Sequence, residues 1–365
     1  MVVTKRLLEP LSFIRGPALA NRLALSPMTS DQARADGSVT DDEARWIGMR
    51  ALGGFGMVTT SASYVQPCGK GGAGQTGIWS DDHVAGLAVL ARIIRAHGGV
   101  AAIQLHHAGM RASARHVPDR VAPSAHVQTG ARALTTGEVE QLVEDFVIAA
   151  QRAERAGFDG VELHGAHGYL LAQFLSAEDN RRDDRYGGGL ENRARVISEI
   201  IDGVRRRCRP DLQLGLRLSP ERWGMRLAEM RELAGLAMAR GGLDWIDLSL
   251  WDARKLPEEA DYRGRRLFDW FTDIPRHGVR LGVSGKIHAA RTVTDLLDDG
   301  ADLVFVGRAA ILHSDWARQA ALDAGFRSTA TPVSADYLAA QGLGPRFIRY
   351  LRTFEGFVQP DPVDA

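Results

Sequence analysis

The sequence is poor in cysteine: only Cys68 and Cys208 occur among its 365 residues. Two thiols are too few for a disulfide framework, for a four-cysteine metal site or for an iron–sulfur cluster. Chains that do not rely on disulfides are typical of reducing compartments, so we expect the cytoplasm.

The chain also lacks an excess of charge of either sign. Lys and Arg together number 45, as do Asp and Glu, so the formal net charge is zero. A chain without net charge has no long-range positive field to attract a polyanion. The composition therefore argues against nucleic acid as a partner.

Long apolar runs are missing as well. No stretch approaches the ~18 consecutive apolar residues of a membrane span. Glu9, Pro10 and Arg15 interrupt the region where a secretory signal would need roughly 7–15 apolar residues. We therefore expect neither a membrane span nor export by that route. The apolar fraction of 45% is nevertheless ordinary for a globular chain, so a sizeable core can form.

Eight short apolar runs have the composition and length of β-strands. They begin at Leu23, Gly56, Val100, Gly160, Leu212, Leu243, Arg280 and Asp302. Helical patterns lie between them, most clearly at 137–156, 190–204, 228–239 and 289–297. Helix-to-strand junctions repeat glycine before an apolar run, as in AGFDGVEL from Ala156 and DGADLVFV from Asp299. This repetition predicts β/α units whose helices end at left-handed glycines.

Eight strands alternating with helices fit either a closed (β/α)8 TIM barrel or a doubly wound open sheet. An open sheet usually carries a Gly-rich turn after its first strand, whereas SPMTSDQ follows that strand here. The glycine-rich run 69–74 has no helix opening onto it, and we predict a flexible loop. We predict a single-domain TIM barrel over about 20–325, with a lead-in at 1–19 and a tail at 326–365.

The catalytic groups of a parallel barrel lie at the carboxyl ends of its strands. Alternation along a strand decides which side chains point inward. Counting along the strands places Gln104, Glu162, His164, Gly215 and Arg217 inside, with Val161 and Leu163 turned toward the helices. A guanidinium inside a barrel is costly unless an anion or several acceptors meet it. Arg217 is therefore either a ligand-binding group or half of a buried ion pair, for which Glu162 is the candidate partner.

The segment HGAHGY, 164–169, sets two imidazoles and a phenol at one strand end. Two interpretations stay open from these residues alone. His164 and His167, together with His106, could bind zinc in a barrel metallohydrolase. Alternatively, two neutral imidazoles could donate hydrogen bonds to one substrate oxygen.

The last two strands end in SGK, 284–286, and VGRA, 306–309. Barrels often bind phosphate at this position through backbone N–H groups. A tight turn beside a surface arginine is the alternative on local grounds.

Seven segments carry a more specific pattern, in this order: NRLALSPMT at 21–29, GMVTTSAS at 56–63, IQLHHAG at 103–109, ELHGAHGYLLAQFLS at 162–176, NRRDDRYGGGLENR at 180–193, LGLRLSP at 214–220 and VFVGRA at 304–309. Together they resemble the Old Yellow Enzyme family of FMN-dependent ene-reductases. The resemblance implies reduction of activated C=C bonds in enones, enals, maleimides or nitroalkenes. NADPH or NADH would reduce the flavin first, and hydride would then leave through flavin N5 in a ping-pong cycle. A flavin-binding protein without alkene reductase turnover is the alternative.

The resemblance also implies roles for single residues. The implied FMN contacts are Ser26, Pro27 and Met28 beside the ring, Thr29 at the C4 carbonyl, Ala62 through its backbone, Gln104 at the pyrimidine edge, Arg217 near N1 and the C2 carbonyl, and Gly285, Gly307 and Arg308 at the phosphate. His164 and His167 would bind the substrate carbonyl or nitro oxygen, and Tyr169 would protonate the α-carbon.

The sequence departs from the family pattern at three positions. Thr29 stands where one branch has cysteine, Met110 where arginine often follows HAG, and Asp31 where one branch has tyrosine. Thr29 implies flavin tuning like that of the threonine-bearing branch. Met110 and Asp31 imply a pocket of altered shape.

The resemblance further implies a homodimer or homotetramer. The tail contains an amphipathic segment at 337–354 that includes Arg346, Arg349 and Arg352. We expect this segment to be the part that reaches a neighbouring subunit.

Overall fold

The computed structural model of the chain describes residues 6–360, so the predicted lead-in and tail lie partly outside the described residues, at 1–5 and 361–365. Eight parallel strands form a closed barrel, in which β1 pairs with both β2 and β10. The barrel strands are β1 (Leu23–Leu25), β2 (Met57–Tyr64), β3 (Val100–His106), β6 (Gly160–Gly165), β7 (Gln213–Leu218), β8 (Trp245–Ser249), β9 (Arg280–Ser284) and β10 (Leu303–Val306). The strands β4 (Val121–Ala122) and β5 (Arg132–Ala133) form a separate two-stranded sheet after β3. The TIM barrel and its eight strands are confirmed.

Helices follow the strands and surround the barrel. They are α1 (Asp41–Leu52), α2 (Val84–Ala96), α3 (Thr136–Arg155), α4 (Leu170–Leu175), α5 (Leu190–Arg207), α6 (Leu227–Arg240), α7 (Asp269–Thr272), α8 (Ala290–Asp298), α9 (Arg308–Leu312), α10 (Trp316–Leu322), α11 (Ala335–Ala340) and α12 (Pro345–Leu351). The four predicted helices correspond to α3, α5, α6 and α8. Thr135 caps α3, because its hydroxyl accepts from the Glu138 N–H while its own N–H donates to the Glu138 carboxylate.

The repeated helix-to-strand junction is confirmed. Gly157 and Gly300 have φ values of +86° and +113°, in the region that favours glycine. Each glycine therefore lets the chain leave its helix and enter the next strand directly.

Alternation along the strands sorts the side chains as predicted. Val161 and Leu163 pack outward into the large core shared with the helices. A second, smaller core fills the amino-terminal half of the barrel interior. It comprises Leu11, Leu19, Ala24, Met57, Val100, Ala102, Trp245, Leu303 and Phe305. Leu11 and Leu19 come from the lead-in. Their backbones exchange two hydrogen bonds, from the Leu11 N–H to the Leu19 carbonyl at 3.0 Å and from the Leu19 N–H to the Leu11 carbonyl at 2.9 Å. The lead-in therefore plugs the amino end of the barrel.

The tail folds back onto its own barrel. The Phe347 ring of α12 packs edge-on against Trp46 of α1, with ring centroids 4.9 Å apart. The buried guanidinium of Arg50 lies over the same Trp46 ring and donates to the carbonyl of Gln341 at 2.5 Å. Arg346 donates to the carbonyl of Ala33 at 2.9 Å. The tail is thus part of the wall around the barrel mouth, and its contact with a neighbouring subunit stays a prediction.

Within residues 6–360, no helix is both long enough and apolar enough to cross a membrane. The division of the chain into one domain stays a prediction.

Candidate active site

Two adjoining cavities open at the carboxyl end of the barrel. The first, of about 450 Å³, is lined by Pro27, Thr29, Ala62, Gln104, His164, His167, Tyr169 and Arg217, among others. The second, of about 280 Å³, is lined by Ser26, Pro27, Met28, Arg217, Gly285, Gly307 and Arg308, among others. Pro27 and Arg217 border both cavities. The fold therefore brings every predicted FMN or substrate residue to one continuous region, while their individual roles stay predictions.

Strand register explains how the central side chains meet. His164 on β6 is opposite Arg217 on β7, and Arg217 is opposite Asp247 on β8. All three side chains point inward because they share the same parity. One step deeper, a Cβ at Gly215 would come within 2.0 Å of the Trp245 indole. Glycine at this position gives Trp245 the space to fill the barrel interior below Arg217.

Arg217 forms a buried ion pair, but its partner differs from the one predicted. Its Nε lies 3.1 Å from Oδ2 of Asp247, and its Nη2 donates to the Ser284 hydroxyl at 3.1 Å. The prediction of Glu162 as the ion-pair partner is wrong, since Asp247 occupies the neighbouring register position on β8. Parity along WIDLS indicates that Asp247 points inward, but only the register between β7 and β8 makes it the partner of Arg217.

Glu162 instead accepts hydrogen bonds from two neighbouring side chains. The Gln104 amide donates to its Oε1 at 2.8 Å, and the Trp245 indole N–H donates to its Oε2 at 2.9 Å. Burial raises the pKa of Glu162 to about 7, aided by the charge of Asp247 and opposed by that of Arg217. Burial also raises the pKa of Asp247, against the opposing effect of Arg217. The cavity floor thus contains one cation and two carboxyl groups.

Three histidines that line the first cavity form a hydrogen-bonded row with a serine that lines the second cavity. His164 Nδ1 lies 3.1 Å from Nδ1 of His106, and its Nε2 lies 2.8 Å from Nδ1 of His167. His167 Nε2 is 2.7 Å from the Ser249 hydroxyl. Burial lowers the pKa of His164 and of His167 well below the ordinary value, and that of His106 to about 3. These imidazoles are therefore neutral at pH 7, and each carries one N–H and one lone pair.

An unusual turn directs His167 and Tyr169 into the cavity. His167 has a φ of +61°, and its backbone N–H donates to the Ser219 hydroxyl at 3.1 Å. Gly168, with a φ of +68°, leaves room for the Trp223 indole, which a Cβ there would meet at 2.7 Å. A left-handed conformation at a residue with a side chain costs roughly 1–2 kcal/mol, so the surrounding contacts must hold this turn. The Tyr169 ring then lies edge-on to His164, with centroids 5.0 Å apart.

The second cavity has features suited to an anion. Gly285 has a φ of +144°, and a Cβ there would meet the backbone nitrogen of Ala253 at 2.9 Å, so the position requires glycine. Lys286 and Arg308 also line this cavity. Two cations beside half-buried glycine backbone are the chemistry that binds a phosphate.

Sequence reasoning did not assign several residues that complete the first cavity. They are Gly71, Gly72, Ala73, Gln75, Arg111 and Tyr350, together with Asp31, which was noted only as a departure. The glycine-rich run is a loop, as predicted, but it also forms a cavity wall. The Gly74 N–H donates to the Asp31 carboxylate at 2.6 Å, and the Gln75 amide donates to the Ala62 carbonyl at 2.8 Å. Ala62 itself lies where the register of β2 against β3 shifts, a feature common beside active sites.

The histidine row does not form a metal site. Within residues 6–360, no group of three His, Cys, Asp or Glu side chains is arranged to hold a metal ion. The ring nitrogens of His106, His164 and His167 point at one another rather than toward one common point.

The donor set fits FMN. Ser26 Oγ is buried and has no hydrogen-bond partner in the described part of the chain. The Arg217 guanidinium has five N–H donors, yet its contacts with the Pro27 carbonyl and the Ser249 hydroxyl are both 3.5 Å long. The polar groups on the floor of the first cavity suit the flat ring of FMN, and the cations of the second cavity suit its phosphate.

Known proteins resemble this chain in sequence and in fold. The chain matches the NADH:flavin oxidoreductase / NADH oxidase family over residues 6–324. YqiG, a probable NADH-dependent flavin oxidoreductase of Bacillus subtilis (strain 168), is 36% identical over 323 residues, which cover 86% of this chain and 87% of the relative. Morphinone reductase in complex with tetrahydroNAD superposes with a TM-score of 0.76 at 30% identity, over 91% of this chain and 93% of that one. An old yellow enzyme homologue from Zymomonas mobilis gives a TM-score of 0.75 at 25% identity, over 91% and 96% of the two chains. The chain therefore belongs to the NADH:flavin oxidoreductase family that includes Old Yellow Enzyme, and it is an oxidoreductase whose cofactors are FMN and a reduced nicotinamide.

Proposed function

We propose that this protein is an ene-reductase, which uses NADH or NADPH to reduce C=C bonds conjugated to a carbonyl or nitro group. The observation that carries the proposal is the row of neutral imidazoles with Tyr169, in the same cavity as Arg217. Such a cavity offers hydrogen-bond donors for a substrate oxygen and a proton donor beside them.

In this proposal, the cofactor is held by the residues of both cavities. Ser26, Pro27, Met28 and Thr29 follow β1 and form one wall, with the Ala62 backbone as a further contact. Gln104 and Arg217 face the pyrimidine edge, and Gly285, Gly307 and Arg308 hold the phosphate. The positive charge of Arg217 favours the form of the ring that carries an extra negative charge.

When bound, FMN would supply the hydride chemistry that connects the nicotinamide with the β-carbon of the alkene. In this proposal His164 and His167 exchange their hydrogen bonds to each other and to Ser249 for N–H donation to the substrate oxygen, which draws electron density from the double bond. They act as neutral donors because burial keeps them unprotonated at pH 7. Tyr169 gives its hydroxyl proton to the α-carbon, so hydride and proton together add two electrons and two hydrogens to the double bond.

A flavin-binding protein without alkene turnover remains the second candidate. Asp31 favours it, because a carboxylate in the first cavity stands where one branch of the family has a substrate-contacting tyrosine. For the compartment, we propose the cytoplasm, since Cys68 and Cys208 are both free thiols.

The test separates the two half-reactions. FMN-loaded protein is mixed under anaerobic conditions with NADH or NADPH, and then with 2-cyclohexenone, N-ethylmaleimide or 1-nitrocyclohexene, while the flavin absorbance is followed. We expect bleaching by at least one nicotinamide and return of the colour with an alkene. Bleaching without return by any alkene would support the second candidate, and a protein that binds no FMN would contradict both.

A further inference from the structure

Two carboxyl groups lie beneath the cavity that the proposed function assigns to the flavin ring. Asp247 and Glu162 are both 0% exposed, and Arg217 is 5% exposed. Each carboxyl contacts a different side chain of the cavity floor. Asp247 pairs with Arg217 at 3.1 Å, and Glu162 accepts from the Gln104 amide at 2.8 Å. Arg217 and Gln104, the two side chains proposed to face the ring, are thus each held from below by a carboxyl group.

We propose that Asp247 and Glu162 are positioning residues that lower the reduction potential of the bound flavin, Asp247 through Arg217 and Glu162 through Gln104. The inference rests on the proposed contacts of Arg217 and Gln104 with the cofactor. Neither acid needs to touch the ring or the substrate for this role.

The sign follows from charge. Reduction adds negative charge to the flavin, which Arg217 stabilises and a nearby carboxylate opposes. Asp247 offsets part of the guanidinium charge because it lies 3.1 Å from it in a site without bulk water. Removing the Asp247 charge therefore lets Arg217 stabilise the reduced flavin more strongly, and the reduction potential of the flavin rises.

The two acids are expected to differ in strength. Asp247 is in register with Arg217, whereas Glu162 is in register with Gly215, two residues deeper. Glu162 also accepts a hydrogen bond from the Trp245 indole, which lies below the cavity, so part of its negative charge is directed away from the flavin ring. The larger shift is therefore expected for Asp247.

Each test substitution removes one charge from a floor that contains two carboxyl groups and one guanidinium. Glu162→Gln keeps the ion pair between Arg217 and Asp247, whereas Asp247→Asn replaces that carboxylate with a neutral amide. Asn and Gln also preserve the shape of the side chains that they replace.

The test measures the two-electron midpoint potential of FMN-loaded protein by equilibration with reference dyes at pH 8, above the pKa of about 7 of Glu162. We expect Asp247→Asn to favour the reduced flavin about tenfold, a rise of ~30 mV. We expect Glu162→Gln to favour it about threefold, a rise of ~14 mV.

Asp244→Asn is the matched control. Asp244 is also fully buried and ion-paired, with Arg205 at 2.8 Å, but it lies just before the amino end of β8. Its replacement carries the same chemical change at the opposite end of the barrel, and we expect the wild-type potential.

Wild-type potentials in both Asp247→Asn and Glu162→Gln would overturn the inference, as would an equal rise in Asp244→Asn. If Asp247→Asn gives no soluble protein, Glu162→Gln decides alone, with a rise in support and an unchanged potential against. The measurement needs no alkene. A wild-type protein that reduces no alkene would therefore defeat the proposed function while leaving this comparison of potentials intact.

Discussion

The amino end of the barrel is filled with apolar side chains, whereas the carboxyl end holds polar and charged side chains around two cavities. At the amino end, Leu11 and Leu19 close the interior, and Phe13 packs against Trp245 with ring centroids 5.8 Å apart. At the carboxyl end, Arg217 and Asp247 are buried beside the histidine row. The same eight strands therefore support one end built for stability and one end built for binding.

The change from apolar to polar inward side chains takes place along individual strands. Inward positions on β3 run from Ala102 through Gln104 to His106, and on β8 from Trp245 through Asp247 to Ser249. Burial of the apolar members contributes roughly 25 cal/mol per Å². Burial of the polar members costs free energy unless a partner meets them. We therefore expect substitutions at the carboxyl end to change turnover, and substitutions at the amino end to change stability.

Tyr169→Phe should give the largest effect. Without the hydroxyl proton, reoxidation of the flavin by an alkene should slow by about 10²–10⁴-fold. Reduction by the nicotinamide should keep its wild-type rate, because that step uses no proton from Tyr169. Anaerobic stopped-flow spectroscopy measures the two steps separately. Tyr337→Phe is the control, since the Tyr337 hydroxyl donates to the Leu312 carbonyl at 2.8 Å, outside both cavities. An unchanged alkene step in Tyr169→Phe would remove Tyr169 as the proton donor.

His164→Ala should come next. Loss of one donor to the substrate oxygen should lower the rate of alkene reduction by about 10²–10³-fold. FMN should still bind, because the imidazole belongs to the substrate side of the first cavity in the proposed arrangement. Steady-state rates and a flavin titration test this pair of outcomes. A parallel loss of flavin affinity would contradict the assigned role.

Leu19→Ala tests the amino end. Leu19 is 1% exposed, and its truncation should lower the free energy of unfolding by about 2–5 kcal/mol. The turnover per bound FMN should stay at the wild-type value below the unfolding transition. Denaturant unfolding and an alkene assay at 25 °C provide the measurements. A variant with wild-type stability and reduced turnover would contradict the assignment of stability to the amino end and of turnover to the carboxyl end.

Local patterns in the sequence account for most of the fold and for the parts of the site that lie on strands. Strand alternation alone turns His164 and Arg217 inward, and the left-handed glycines mark the repeated units. The identity of the ion-pair partner depends on the register between β7 and β8, so Asp247 was missed. Tyr350 reaches the first cavity only because the tail returns across the barrel mouth. Contacts of this kind join distant parts of the chain and leave no local periodic signal.

The smallest predicted effect near neutral pH concerns the acid stability of the carboxyl end. Burial lowers the pKa of His107 to about 3, below the ordinary 6.5. Between these two pH values the unfolded chain binds a proton that the folded chain does not. The contribution of His107 to the free energy of unfolding is therefore fully present above about pH 6.5. It decreases as the pH falls, by about 1.4 kcal/mol per pH unit.

His107→Gln should remove this contribution. The free energy of unfolding, measured by denaturant titration at pH 6, 5 and 4, should fall less steeply than in the wild type, by about 1.4 kcal/mol per pH unit. The change in slope is the readout, because the Gly109 N–H that donates to His107 at 3.0 Å also loses its partner and lowers stability at every pH. His97→Gln is the control, since His97 lies exposed just after α2 and meets water in both states. Parallel slopes in wild type and His107→Gln would mean that His107 binds its proton equally in the folded and unfolded chain.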